Sequence, residues 1–327
     1  MGALTLETIR RAPKVLLHDH LDGGLRPATV AELARESGYA KLPTYDVEEL
    51  ARWFVVDEPG ADLVRYLQGF AHTTAVMQTR DELERVAHEC ALDLARDGVV
   101  YAIVRALLSA MRQAELSETI AQVAVDFRDE GVCGFDIAGP EDGFPPTKHL
   151  RAFHLIQRED FHLTIHAGEA FGLPSIWEAV QFCNAERLGH GVRIVDDLTE
   201  GPGGTRLGRL SSYVRDRRIP LEVCPTSNVH TGAAASIAQH PIERLRRLRF
   251  RVTVNTDNRL MSGITLSSEF ADCAAAFAWT LEDVQWLTIN AAKSAFYGFT
   301  DRLALIDGVI KPGFAALRAE LEPGREV

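Results

Sequence analysis

No CxxC pair, no GxGxxG turn, no cationic excess and no apolar run long enough to cross a bilayer occur in this 327-residue chain, and each absence closes off a class of function. The five cysteines, Cys90, Cys133, Cys183, Cys224 and Cys273, are odd in number and widely spaced. They read as reduced core thiols of a cytoplasmic protein rather than a disulfide framework. A formal charge of -11 argues against a surface built for nucleic-acid phosphates, which are bound by clustered Lys and Arg. The N-terminus "MGALTLETIRRAPKVLLHDH" lacks the apolar stretch of a signal peptide, so no membrane partner is expected.

What is present is a composition for one large core. With 46% hydrophobic and 25% charged residues, the length suits one α/β barrel or two ordinary domains, and the lack of any linker favours a single domain over 1–327. From residue 27 to about 97 the spacing is helical, in "DVEELARWFV", "ADLVRYLQGF" and "DELERVAHECALDLARDG", the last capped by Gly98. Short apolar runs then alternate with helical stretches: "GVVYAIVRALLSAM", "GVCGFDIAG", "FHLTIHAGEA", "ERLGHGVRI", "IPLEVCPTSN" and "FRVTVNTDN". Strand and helix alternating this often predict parallel strands with crossover helices.

Polar residues recur where these runs end: His18, His20, Asp136, His166, His190 and Asp257. In a parallel (β/α)8 barrel such ends converge on one face, where the chemistry resides. An open doubly wound sheet gathers fewer of them, so the barrel is the expected fold, with extra helices after its first strand.

In "VLLHDHLDGG" an extended chain projects His18 and His20 to one side and Asp19 and Leu21 to the other. An isolated HxH serves a metal or merely caps a strand; His166 and Asp257 supply the further donors that favour one cation such as zinc. Glu169, three residues after His166 in "HAGE", reads as a proton-transfer group or as a carboxylate at a helix start. His190, between two glycines, reads as a group that orients water or accepts its proton, or as a plain strand-end histidine. Of the other seven histidines, His72, His88, His149, His154 and His162 are assigned to packing or solvation, and His230 and His240, in turn regions, are given no role. The HxE and PCxxC signature of the cytidine-type zinc deaminases is absent.

In this order "LLHDHLDG", "FDIAGPE", "TIHAGE", "RLGHG", "CPTSN" and "VNTDN" resemble the adenosine deaminase family of (β/α)8 metal hydrolases, and "TINAAKSAF" is similar to its C-terminal helix. The resemblance covers nearly the whole chain. It implies one Zn2+ held by His18, His20, His166 and Asp257, with Glu169 protonating the purine ring and His190 positioning the attacking water. It further implies that Asp22 holds the ribose 5'-hydroxyl and that the Gly139 N–H meets a ring nitrogen. Leu63, Tyr66, Leu67, Phe70 and Met111 match an apolar purine pocket, or serve as ordinary core at helical spacing. No Lys or His at the tip of "FDIAG" is available to bridge a second ion, so one metal is expected. The implied reaction is hydrolytic deamination of adenosine or 2'-deoxyadenosine, with a purine nucleoside as the small-molecule partner. Alternatives are the same chemistry on an aminodeoxyfutalosine-type nucleoside or adenine, or a non-catalytic nucleoside-binding relative. Oligomeric state is not legible.

Two departures stand out. Asn258 occupies a position where the family commonly has aspartate; an amide NH2 donates to a ring nitrogen at any pH, so purine binding is retained. Second, only seven strand landmarks are found, near Val15, Val99, Val132, His162, Arg187, Pro220 and Arg251, because "VVYA" runs directly into "IVRALLSAMR". One βα unit, about thirty residues, is expected to be missing near 102–103. Either a segment has been closed up in the numbering, so that Ala102 and Ile103 stand farther apart than about 3.8 Å, or the chain carries a deletion and the barrel has seven strands, borrows an edge or stays open.

Overall fold

A computed structural model describes residues 4–55, 63–101 and 106–321. In chain order its strands are β1 (Lys14–Val15), β2 (Val99–Tyr101), β3 (Ala106–Met111), β4 (Val132–Ala138), β5 (Thr164–Ala167), β6 (Arg187–His190), the hairpin β7 (Leu198–Gly201) and β8 (Gly204–Leu207), then β9 (Leu221–Val223) and β10 (Val252–Val254). All but the hairpin are parallel: β1 with β2, β3 with β4, and β5, β6, β9 and β10 in one sheet. A Phe135–Leu163 bridge joins β4 to β5, and an Asp19–Asp257 bridge returns β10 to β1. Eight parallel strands therefore follow one another around a (β/α)8 barrel.

The count corrects the seven landmarks. Ala106–Met111 is a full strand whose six residues pair with Val132–Ala138. It is hidden in "GVVYAIVRALLSAM" because Arg105 alone, with no Gly, Pro or other turn residue beside it, interrupts the apolar run before Ala106, so two strands with different neighbours read as one. The shortfall lies in the connection. Only four residues separate Tyr101 from Ala106, whereas parallel neighbours are ordinarily joined by a crossover of about a dozen residues or more. Ala102 and Ile103, where the gap was placed, lie outside the described residues. Among the described residues β2 and β3 do not pair, so the ring has one seam. Beside it, Ala106, Ser109 and Met111 are exposed, while β4 is buried along its whole length.

The helices form where the sequence signals them. Arg80–Arg96 begins with a capping box in which Thr79 and Glu82 satisfy each other's backbone N–H groups, and the chain leaves it through Gly98 at φ 76°. Pro27 opens the helix Pro27–Ser37. Helices before β2, joined by Leu260 and Met261 from the turn of helix after β10, build a second apolar cluster around Leu33, Leu50 and Phe54. Phe70 packs against it as core; the side chains of Leu63, Tyr66 and Leu67 lie outside the described residues. All five cysteines are buried, and none forms a disulfide with a described residue. Among the described residues no helix is long and apolar enough to cross a membrane.

Candidate active site

The carboxyl ends of β1, β5, β6 and β10 bring His18, His20, His166, His190 and Asp257 together. His20 Nε2 lies 3.2 Å from His18 Nε2, 3.3 Å from His166 Nε2 and 3.2 Å from Asp257 Oδ1, and His18 Nε2 is 3.4 Å from Asp257 Oδ1. Four such separations are what atoms about 2.0–2.2 Å from one shared cation must have. Asp19 faces away, accepting from Thr256 Oγ1 and Arg259 Nε, as the alternation of an extended chain requires.

The electrostatics ask for positive charge at this point. Burial disfavours a charged His18, yet Asp257 and Glu222 outweigh it and raise its pKa to about 10. Burial pushes Asp257 upward, but hydrogen bonds to His18 and His20 hold it well below the carboxylate range. His166 is lowered by burial to about 4 despite Asp136, and so presents a neutral donor nitrogen. Three imidazoles and a carboxylate with their donor atoms converging fit a single zinc ion.

Buried partners aim each of these groups. Asp136 Oδ1 meets His166 Nδ1 at 3.0 Å and accepts from Ser109 Oγ at 2.7 Å. Glu222, on β9, lies 3.3 Å from His18 Nδ1 and pairs with Arg187 Nε at 2.5 Å. Ser227 Oγ donates to Asp257 Oδ2 at 2.5 Å. A carboxylate behind a ligand imidazole fixes its tautomer and orientation.

Glu169 follows β5 on a loop held by Glu141, whose carboxylate accepts from the N–H groups of Gly168, Glu169 and Ala170 at 2.8, 2.8 and 2.9 Å. Glu169 Oε1 accepts from Asn228 Nδ2 and Thr231 Oγ1, both at 2.8 Å, and Oε2 lies 3.4 Å from His190 Nε2. Its pKa is raised, first by burial and then by Asp257 and Glu141 against the opposing pull of His190 and Thr231. His190 takes a left-handed φ of 60°. Gly189 is required beside it, because a Cβ there would crowd His166 at 3.0 Å.

Asn228 decides which ring nitrogen of His190 carries a proton. The Ile242 N–H donates to His240 Nδ1 at 3.1 Å, so neutral His240 bears its proton on Nε2 and donates to Asn228 Oδ1 at 3.2 Å. The Asn228 NH2 therefore faces Glu169 and His190 Nδ1, the latter at 3.1 Å, and the His190 proton sits on Nε2. Burial lowers the pKa of His240 to about 3, so it stays neutral.

The remaining predicted positions border the same face. Asp22 lies half-buried in the turn after His20, and Asn258 is buried with its side chain against Gly23, where any Cβ would strike it at 2.1 Å. Gly139 ends β4 at φ 105°, and Met111 ends β3 with its Cε 3.3 Å from where a Gly139 Cβ would be. The sequence reading overlooked Glu222, Asn228, Ser227 and Glu141 and left His240 without a role. A charged residue inside the apolar strand "IPLEVC" was the one available signal for Glu222.

Fold and site define the class: a (β/α)8 barrel with a cluster of His and Asp side chains that could hold a metal ion at the C-terminal ends of its strands. A family model described as adenosine deaminase matches residues 13–107 and 102–312. Adenosine deaminase 1 of Streptomyces coelicolor is 56% identical over 356 residues, covering 96% of this chain and 90% of the relative. The adenosine deaminase of Mycobacterium tuberculosis is 53% identical, covering 98% and 100%. Among solved structures, a zinc-bound amidohydrolase from Burkholderia ambifaria superposes with a TM-score of 0.81 at 22% identity, covering 98% of this chain and 96% of that one. An adenine deaminase from Arthrobacter aurescens gives 0.74 at 24%, covering 92% and 98%. The chain belongs to the adenosine deaminase family. Because 96% of this 327-residue chain takes part in an alignment of 356 residues, about 40 positions of the Streptomyces relative have no counterpart here, enough for one βα crossover.

Proposed function

We propose that this chain is a zinc-dependent aminohydrolase converting adenosine and 2'-deoxyadenosine to the inosine forms and ammonia, with residues 1–327 as one barrel domain. The convergence of His18, His20, His166 and Asp257 around one point, beside a buried Glu169, carries the reading. One zinc ion on those four residues supplies a Lewis acid that brings the ionisation of water towards neutral pH.

This chain's own residues do the rest. Glu169, with its pKa raised by burial, delivers a proton to the purine ring nitrogen next to the amino-bearing carbon, so that charge does not build up there during attack. The Nε2–H of His190 points at the region of the attacking oxygen and donates to it. The Asn228 amide hydrogen-bonds to both groups and holds them in place. Asp22 takes the ribose hydroxyl, the Gly139 N–H and the Asn258 amide take ring nitrogens, and His20 and Met111 border the base. Five buried thiols suit a reducing cytoplasm.

The test is ammonia release by purified, zinc-replete protein from a panel of 6-aminopurines. Turnover of adenosine and deoxyadenosine with weak turnover of adenine is expected, since Asp22 acts only on a sugar. No ammonia from any member of the panel overturns the proposal.

A further inference from the structure

At the other end of the barrel, the N-terminal ends of β4, β5, β6, β9 and β10 surround a cavity of about 810 Å³. That volume is in the range of small-molecule sites. One side of it is cationic: Arg217, Arg218, Arg251, Lys293 and Arg302. The acids of the lining are Asp129, Asp160 and Glu186, and Glu186 is already engaged by His162 Nδ1 at 2.8 Å. With Arg128 and Arg187 of the lining paired to Glu159 and Glu222, five further cations face three acids, and in a chain of formal charge -11 such an excess of cations runs against the average of the molecule.

The arginines are held in place without being neutralised. Arg218 Nη1 donates to the carbonyl of Arg249, Arg302 Nη1 donates to the carbonyl of Lys293 at 3.0 Å, and Arg217 lies over the ring of Tyr213. The carbonyl of Arg251, directly before β10, accepts from the Leu221 N–H at 2.9 Å, but among the described residues its guanidinium has no hydrogen-bond or ion-pair partner, and its Nε is buried. Burial disfavours its charge, and the charges of Arg218 and Arg302 disfavour it further. Nothing in barrel packing calls for such a group, since an apolar side chain would fill the position without the repulsion.

We propose that this cavity binds a small anion bearing a pyrophosphate group, with Arg251, Arg218 and Arg302 as its principal cations. Planar guanidinium groups match phosphate oxygens in pairs, and a multiply charged anion turns their mutual repulsion into attraction. The group can arrive as inorganic pyrophosphate or as a nucleoside diphosphate. The site is independent of the zinc centre, being at the opposite ends of the strands.

Calorimetric titration with pyrophosphate, ADP, AMP and sulfate, in salt of about 0.15 M to screen diffuse attraction, tests this. Saturable binding of pyrophosphate or ADP at one site per chain is expected, with sulfate weaker, and the tighter of the first two identifies the source. Arg251→Gln weakens it by about tenfold or more, while Arg96→Gln, the same charge change on an exposed helix end, leaves it within about twofold. EDTA-dialysed protein retains the affinity. Should Arg251→Gln fail to fold, Arg302→Gln, whose side chain is partly exposed, serves the same comparison. Absence of saturable binding, equal weakening by Arg96→Gln, or loss on EDTA dialysis overturns the proposal.

Discussion

His240 Nε2 donates to Asn228 Oδ1 across 3.2 Å, and through that one bond a residue outside the metal cluster dictates the orientation of the amide between Glu169 and His190. Removing the donor lets the amide turn over and present its oxygen to two groups that need a hydrogen. His240→Phe is expected to lower kcat by about 10–100-fold, with KM and bound zinc little changed. Asn228→Ala is expected to do the same, and the double variant to cost no more than Asn228→Ala alone, because the two act in series. Additive losses would show that His240 acts by another route.

Glu169 is asked to hold a proton until the ring nitrogen needs it, which glutamine cannot replace. Glu169→Gln is expected to reduce kcat by about 10²–10⁴-fold while leaving metal content intact. The sign of the pH effect follows from the same burial. A raised pKa keeps Glu169 protonated to higher pH than an ordinary carboxyl, and kcat falls as pH rises through that pKa. A kcat that stays level across that range would remove Glu169 from proton delivery.

Asp136 supports His166 from behind at 3.0 Å and is itself held well below the ordinary carboxylate range: burial opposes its charge, and His166 and Ser109 outweigh burial. Asp136→Asn keeps the shape and removes the charge. Zinc affinity is expected to fall by about 10–100-fold, measured by competition with a chelator. An unchanged affinity would mean that the ring is oriented by packing alone.

How far this was legible differs from layer to layer. The proposed ligands announce themselves, because His18, His20, His166 and Asp257 end apolar runs, and alternation along a strand already puts His18 and His20 on one side. Their supports do not. Glu222 and Asp136 lie within buried strands, where the sequence shows a charge but not the partner that compensates it. His240 sits in a turn that only the folded chain lays against Asn228. The third strand was hidden for a different reason: strand boundaries are read from polar breaks, and residues 99–111 contain none strong enough to separate β2 from β3.

Glu269 makes folding stability depend on pH. It is buried, and although Thr226 donates to it through its N–H and its hydroxyl, burial dominates and raises its pKa to about 7. Between its ordinary value of 4.5 and 7 the folded chain binds the proton more firmly than the unfolded one, so stability is greatest below that window and declines as pH rises through it. The slope from this one group is at most about 1.4 kcal/mol per pH unit. Urea unfolding of Glu269→Gln at about pH 5 and pH 7 is expected to show that contribution gone, with the gap between the two conditions smaller than in the unaltered chain. An equal gap in both proteins would place the carboxylate in contact with water.

The seam between β2 and β3 has the largest consequence for the molecule as a whole. Parallel strands are normally covered on both faces, yet Ala106, Ser109 and Met111 of β3 are exposed while every residue of β4 is buried. An unpaired edge beside uncovered apolar surface costs stability and invites pairing with another chain. Inserting the βα crossover of a relative, about thirty residues, between Tyr101 and Ala106 is expected to raise Tm and to suppress concentration-dependent association in light scattering. Deamination is expected to rise with it, because Met111 and Gly139 stand next to that seam at the substrate face. If the insertion leaves Tm and association unchanged, the present chain already closes its barrel, and the exposure along β3 carries no energetic penalty.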